Sequence, residues 1–351
     1  MKTVCIYHSI DLDGWMSAAI VKHWFTRYFD TNILHLEEDG NSIKLITNPS
    51  FKHEVQESLT FIGYNYGQPI PDLSEYNKVI MCDISFPAEE MKKLLFYKNG
   101  IINKDFIWID HHISAIKENV WKNTKYPSGL RDTKFAACEL TWQYFFPNET
   151  MPEIVRLLGR YDCFGHKGTD EEQKVLEFQY GARSVISNYE EAYNYLIDEG
   201  MDYKNPEVNT LNIILEKGKS IYQYLCTEAK QTYAKAFPIE FKTYTGKIDT
   251  KGSIATSTRY NFICVNQERF NPINFGIDYH KDGYDGCACF WYKDNKWHFS
   301  LYNDNGEVDC SAIAKQYGGG GHKGAAGFII DNLNKVIKNK DIMEEIYEIL
   351  G

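Results

Sequence analysis

The 351-residue sequence contains no apolar run near the ~18 residues that a membrane-spanning helix requires, so no membrane partner is expected. Positive charge is scarce: 38 Lys and Arg stand against 48 Asp and Glu, leaving a net charge of −10. Proteins that track long DNA or RNA present a basic face to the phosphates. The acidic balance therefore points to a short or small anionic substrate, with cations supplying the neutralisation, and away from long nucleic acid. The opening MKTVCIYHSI has too short an apolar run for a secretory signal, and Asp11 follows it, so a cytoplasmic location is expected. The Asn148-Glu149-Thr150 sequon carries no weight without secretion. A disulfide framework is also missing. The nine cysteines (Cys5, Cys82, Cys138, Cys163, Cys226, Cys264, Cys287, Cys289 and Cys310) are odd in number and scattered, as reduced thiols would be. Cys287 and Cys289 form the one close pair. They fall on the same face of a predicted strand, without partners for zinc. No internal repeat or low-complexity tract is present.

What is present is an ordinary globular composition, 43% apolar and 25% charged, with enough aromatics (15%) to exclude disorder. The length predicts two domains, each large enough to bury its own core. Residues 3–7 (TVCIY), 78–82 (KVIMC) and 105–109 (DFIWI) read as buried strands, with a further strand at 59–62. Apolar residues at helical spacing mark 15–29, and Pro87 opens a helix to about residue 98. Strands alternating with helices predict an α/β fold built on a parallel sheet. Helices follow at 135–146, 152–160 and 188–199, and a long amphipathic stretch covers 207–236. Beyond Pro238, a hairpin at 286–292 and 296–302 turns on Asp294-Asn295, and helices are predicted at 310–317 and 340–350. The expected organisation is an N-terminal parallel-sheet domain (1–200), a helical connector (201–237) and a smaller α/β C-terminal domain (238–351).

Each of the three strongest strands runs directly into acidic and histidine residues. The first leads to His8, Asp11, Asp13 and Gly14, the second to Asp83, and the third to Asp110, His111 and His112. Taken singly, Asp-Leu-Asp-Gly reads as a turn, Asp83 as a helix cap and His-His as a solvated pair. Taken together they gather at one place, because sites on open parallel sheets form beyond the carboxyl ends of the strands. Like charges packed there raise one another's pKa and are costly unless cations cancel them. Mixed imidazole and carboxylate donors suit Mn²⁺, with Mg²⁺, Co²⁺ or Fe²⁺ as competitors. Four carboxylates with two or three imidazoles exceed one catalytic zinc and suffice for two metals sharing a bridge. Such a pair clamps an in-line phosphoryl displacement.

The order His8-x-x-Asp11-x-Asp13-Gly14, Asp83, Asp110-His111-His112 resembles the DHH phosphoesterase superfamily. Asp162, in Arg160-Tyr161-Asp162 at a helix end, matches that family's later aspartate. The run Gly318 to Gly321 followed by His322-Lys323-Gly324-Ala325-Ala326-Gly327 resembles the glycine-rich signature of the DHH-associated C-terminal domain. The two resemblances together cover nearly the whole chain. They imply that His8 and Asp11 ligate a first metal, that Asp13, His111 and Asp162 ligate a second, and that Asp83 bridges the two. They further imply that Asp110 orients an imidazole and that His112 contacts phosphate or donates a proton to the leaving oxygen. Gly319, Gly320, Gly321, His322 and Lys323 are expected to hold the substrate, with glycine amides forming an anion nest. The family often carries Arg in the strand before this run, where the present sequence reads Phe299-Ser300-Leu301-Tyr302-Asn303, so that Tyr302 is offered for base stacking. The implied activity is hydrolysis of short oligoribonucleotides or linear dinucleotides to mononucleotides. Cyclic dinucleotides and 3′-phosphoadenosine 5′-phosphate are alternatives within the same chemistry, and a regulatory nucleotide-binding module without catalysis is an alternative outside it. The resemblance also allows a homodimer.

Overall fold

The computed structural model describes residues 1–27, 34–47, 56–96, 100–117, 127–202, 210–245 and 256–337. The helix expected over 340–350 lies outside them. The chain divides into two compact units, Met1–Ile221 and Tyr222–Gly351. No helix among the described residues is long and apolar enough to cross a membrane.

The first unit opens with β1 (Lys2–His8), α1 (Leu12–Arg27), β2 (Leu34–Asp39), β3 (Ser42–Thr47), β4 (Gln56–Tyr64), β5 (Lys78–Cys82), α2 (Ala88–Leu95) and β6 (Phe106–Ile109). Its helical part follows as α3 (Ile113–Ile116), α4 (Ala137–Phe145), α5 (Glu153–Asp162), α6 (Glu172–Arg183), α7 (Tyr189–Asp202) and α8 (Thr210–Tyr233), within which the two units divide. The sheet order is β2-β3-β4-β1-β5-β6.

Strands β4, β1, β5 and β6 run parallel to one another, while β3 pairs antiparallel with β4 and β2 with β3. The expected parallel sheet is present, extended at one edge by an antiparallel pair of strands. Asp39 pairs with Ser42 across Gly40 and Asn41, and so short a connection can only return the chain antiparallel. The buried strands are apolar without interruption because both faces are covered. Cys5, Tyr7, Ile80, Cys82, Ile107 and Ile109 join a core that includes residues of α1, α4, α5 and α7. The alternate residues Val4, Ile6, Val79, Met81, Phe106 and Trp108 pack on the opposite face with Met91 and Leu95 of α2. Each such side chain contributes about 1.5–3 kcal/mol by leaving water.

A charged clamp ties α5 to α6. Arg156 donates to both carboxylate oxygens of Glu153 at 2.7 Å and to Glu171 at 2.7 and 2.9 Å, and Lys174 reaches Glu153 at 2.8 Å. Arg156, with Lys174 helping against a smaller burial penalty, holds the Glu153 carboxyl at about 2. A depressed carboxyl pKa contributes stability above the unfolded value and loses it in acid. The Glu153 contribution should therefore be complete above about pH 4.5 and fade toward pH 2. Solvent screening limits it to about 1 kcal/mol. Urea titrations of Glu153→Gln should show that deficit at pH 7 and none near pH 2.

The second unit contains β7 (Phe237–Thr245), β8 (Thr256–Asn266), β9 (Gly286–Lys293), β10 (Lys296–Tyr302), α9 (Cys310–Gln316), β11 (Gly320–Gly321) and β12 (Ala325–Ile330). Its sheet order is β11-β12-β10-β9-β8-β7, with only β8 and β9 parallel. The β9–β10 turn places Asp294 at φ 52° and Asn295 at φ 60°, the paired left-handed geometry of a tight hairpin, which Asp and Asn tolerate. Phe241, Phe262, Phe290, Phe299 and Phe328 form the core with Ile313 and Ala314 of α9. Cys287 and Cys289 are buried, and all nine cysteines are free thiols.

Candidate metal centre

Register explains how the site is assembled. Tyr7 pairs with Cys82 and Cys82 with Ile109, so the next residues, His8, Asp83 and Asp110, leave three adjacent strands at the same level. Asp11 then caps α1, accepting from the Gly14 amide at 3.0 Å with Oδ1 and leaving Oδ2 at 2.9 Å from His8 Nδ1. The turn reading of Asp-Leu-Asp-Gly and the site reading are thus two properties of one carboxylate. Gly14 has no alternative here, since a Cβ at that position would lie 1.9 Å from the His8 carbonyl oxygen. Gly14→Ala is expected to push α1 off β1, destabilising the fold by about 2 kcal/mol or more and weakening divalent-metal binding. Thermal melts and titration calorimetry with Mn²⁺ would read both effects.

Asp13 points the other way, into the amino terminus of α4. Its carboxylate oxygens accept from the amides of Ala137 at 2.9 Å and Cys138 at 2.7 Å, which fixes the side chain where helix amides need an acceptor. Asp83 adopts φ 61°, a left-handed conformation that aims its carboxylate between two imidazoles. Oδ2 lies 3.4 Å from His8 Nδ1, and Oδ1 lies 3.3 Å from His111 Nε2. The same His111 nitrogen is 3.6 Å from Asp13 and 3.3 Å from Asp162, which the carboxyl end of α5 delivers to the cluster. Asp110 is fully buried and accepts from the His111 and His112 amides, from His112 Nδ1 at 2.8 Å, and from Trp108 Nε1 at 3.2 Å.

The electrostatics are those of charges answered mainly by one another. Burial, reinforced by the Asp83 charge, raises the Asp13 carboxyl to about 7. Burial and the Asp13 charge raise Asp162 to about 7 as well. Asp83 is raised too, chiefly by burial. Burial works against the His8 and His111 imidazolium forms, but the surrounding carboxylates outweigh it and lift both to about 10. Asp83 Oδ1 and His8 Nδ1 are buried yet take part in no well-aligned hydrogen bond, despite neighbours at 3.3 and 2.9 Å. Groups brought close without hydrogen-bond alignment are a donor set arranged for a cation. Three sets of donors lie within 4.8 Å of one another: His8, Asp11 and Asp83; Asp13, His111 and Asp162; and Asp83, His111 and His112. These residues therefore fit divalent metal.

The glycine-rich run belongs to the sheet of the second unit. Its amides are largely engaged within the chain: Gly318 donates to Lys315, Gly319 to Ala314 and His322 to Ala325. Gly320 and Gly321 pair with Gly327 and Ala326 as β11. A Cβ at Gly319 would lie 2.1 Å from the Gly327 carbonyl oxygen, so close strand approach accounts for that glycine. The exposed side chains here are those of His322 and Lys323. Tyr302 packs against the cluster of Val265, Phe270 and Cys289.

Sequence reasoning passed over Tyr66 and Ser85. The Tyr66 ring lies 6.1 Å from His8 and 6.3 Å from His112. The available signal was positional: Tyr66 follows β4, a neighbour of β1, and Ser85 stands two residues beyond Asp83.

Residues 280–350 match the DHHA1 domain family. An uncharacterized protein of Acanthamoeba polyphaga mimivirus is 22% identical over 346 residues, spanning 94% of this chain and 68% of the relative. Among solved structures, a pGpG-specific phosphodiesterase from Vibrio cholerae is 13% identical with a TM-score of 0.47, covering 99% of this chain and 97% of that one. An exopolyphosphatase-related protein from Bacteroides fragilis is likewise 13% identical with a TM-score of 0.47, covering 99% and 90% of the two chains. The chain thus carries a DHHA1 domain over residues 280–350, downstream of its Asp110-His111-His112 motif.

Proposed function

We propose that the protein is a two-metal phosphodiesterase that hydrolyses linear dinucleotides and short oligoribonucleotides to mononucleotides. The observation that carries this reading is the convergence of His8, Asp11, Asp13, Asp83, His111 and Asp162 from β1, α1, α5 and the ends of β5 and β6. His8 and Asp11 would hold one cation and Asp13, His111 and Asp162 the other, with Asp83, whose two oxygens face His8 and His111 separately, available to both. Mn²⁺ suits the mixed donors best, with Mg²⁺, Co²⁺ and Fe²⁺ as competitors. When bound, the cations supply a nucleophilic water at neutral pH and electrophilic stabilisation of the in-line displacement.

The remaining steps belong to the chain itself. Asp110 bonds His112 Nδ1 and two backbone amides, which locks the imidazole and leaves Nε2 to face substrate. The carboxylate also raises the His112 pKa against the penalty of burial, keeping a proton available for the departing oxygen. His322 and Lys323 offer exposed donors to substrate phosphate, beside Gly319, Gly320 and Gly321. The net charge of −10 disfavours long nucleic acid as a partner. The reading carries with it the expected cytoplasmic setting and leaves room for the homodimer that the family resemblance allows.

The test is Mn²⁺-dependent release of mononucleotides from labelled RNAs two to five nucleotides long, alongside cyclic dinucleotides and 3′-phosphoadenosine 5′-phosphate. Turnover of the short linear RNAs in preference to the others supports the reading. Binding without turnover across the panel rejects it in favour of a regulatory module.

A further inference from the structure

A recess of about 310 Å³ opens beside the metal centre, lined in part by Tyr64, Tyr66, Ser85, Phe86 and Ala115. It joins the site through Tyr66, whose ring meets both His8 and His112. Ser85 enters two residues after Asp83, and Ala115 three residues after His112. Tyr64 and Phe86 are buried and pack edge-to-face at 4.9 Å, giving the recess a rigid apolar wall.

Tyr66 is built differently from its neighbours. It is 56% exposed, the conduct of a ring with an open face, yet its hydroxyl lies close to Ser85, which lines the same recess. An aromatic ring set between His8, His112 and Ser85 with an exposed face is a preorganised stacking platform. No lining side chain of the recess is charged, so it offers nothing to a phosphate and suits a neutral planar group.

The geometry points to this recess as the pocket for the nucleobase of the leaving nucleoside, stacked on Tyr66. The assignment rests on the phosphodiesterase reading above. It places the leaving nucleoside on the His112 side, where the same imidazole that touches Tyr66 gives its proton to the departing oxygen. Specificity then comes from stacking, which accepts every base, together with whatever hydrogen bonds Ser85 adds.

The experiment compares wild type, Tyr66→Ala and Tyr66→Phe on the dinucleotide pApA and on its analogue with an abasic leaving ribose. Stacking against an aromatic side chain corresponds to about 10- to 100-fold. Tyr66→Ala should lose about that factor in kcat/KM on pApA and less than about 3-fold on the abasic analogue, while Tyr66→Phe keeps the preference for a base. A second arm does not depend on turnover. With Mn²⁺ present, equilibrium binding of adenosine 5′-monophosphate and of ribose 5-phosphate is measured, and Tyr66→Ala should collapse the preference for the former. Calorimetric Mn²⁺ binding should stay unchanged. Equal losses on both substrates, or an unchanged preference between the two monophosphates, overturns the assignment. Absence of wild-type hydrolysis with the binding preference intact and sensitive to Tyr66 would reject the phosphodiesterase reading and leave the base pocket standing.

Discussion

Asp83→Asn is expected to lower kcat on short RNA by about a thousandfold or more, equivalent to roughly 4 kcal/mol of transition-state stabilisation. The reason is positional. Asp83 is the one carboxylate with an oxygen toward each half of the cluster, 3.4 Å from His8 on one side and 3.3 Å from His111 on the other. Losing its charge weakens both cation positions at once, whereas Asp11 or Asp162 borders only one of the two halves. A distinct thermal signature should accompany the loss. Burial holds the Asp83 carboxyl above its ordinary pKa, so an uncharged side chain costs less there in metal-free protein. The metal-free variant should melt at or above the wild-type temperature. Mn²⁺ at a hundred times its Kd should stabilise wild type by about 2.7 kcal/mol and the variant far less. A variant that hydrolyses RNA at the wild-type rate would remove Asp83 from the mechanism.

The second large effect concerns proton transfer. His112→Gln should reduce kcat on RNA by about 10²- to 10⁴-fold, the range for loss of a positioned general acid. Manganese stoichiometry should stay at the wild-type value. His112 lies 3.8 Å from Asp83 but only 2.8 Å from Asp110, and the Asp110 bond occupies the nitrogen that a metal would otherwise use. The defect should nearly vanish on a p-nitrophenyl phosphodiester, whose leaving group departs without a proton. Equal defects on both substrates, or a fall in bound manganese, would make His112 a ligand instead. Inductively coupled plasma analysis together with the two rate measurements separates these outcomes.

The sheet was readable because parallel strands covered on both faces leave unbroken apolar runs, such as Val79 to Cys82 and Phe106 to Ile109. Those runs end abruptly at charged residues, which made His8, Asp83 and Asp110 visible. The β2–β3 edge was not readable. Its Glu37-Glu38-Asp39 stretch is polar and exposed, and nothing in it resembles a buried strand. Asp162 was visible only by resemblance, because its nearness to His111 depends on the packing of α5 and not on neighbours in sequence. Tyr66 left only a positional sign, because an exposed tyrosine after a strand is ordinary until its nearness to Ser85 and the two imidazoles is seen. The glycine run has a second physical cause that its sequence did not reveal. Its composition suited an anion nest, yet close approach to Gly327 and pairing with β12 explain much of it.

Anomalous diffraction from crystals soaked in Mn²⁺ tests the central claim most directly. Two peaks about 3.5–4 Å apart are expected, one against His8 and Asp11, the other against Asp13, His111 and Asp162, with Asp83 touching both. No peak at these residues, or a single ion that leaves Asp83 uncoordinated, would contradict the account.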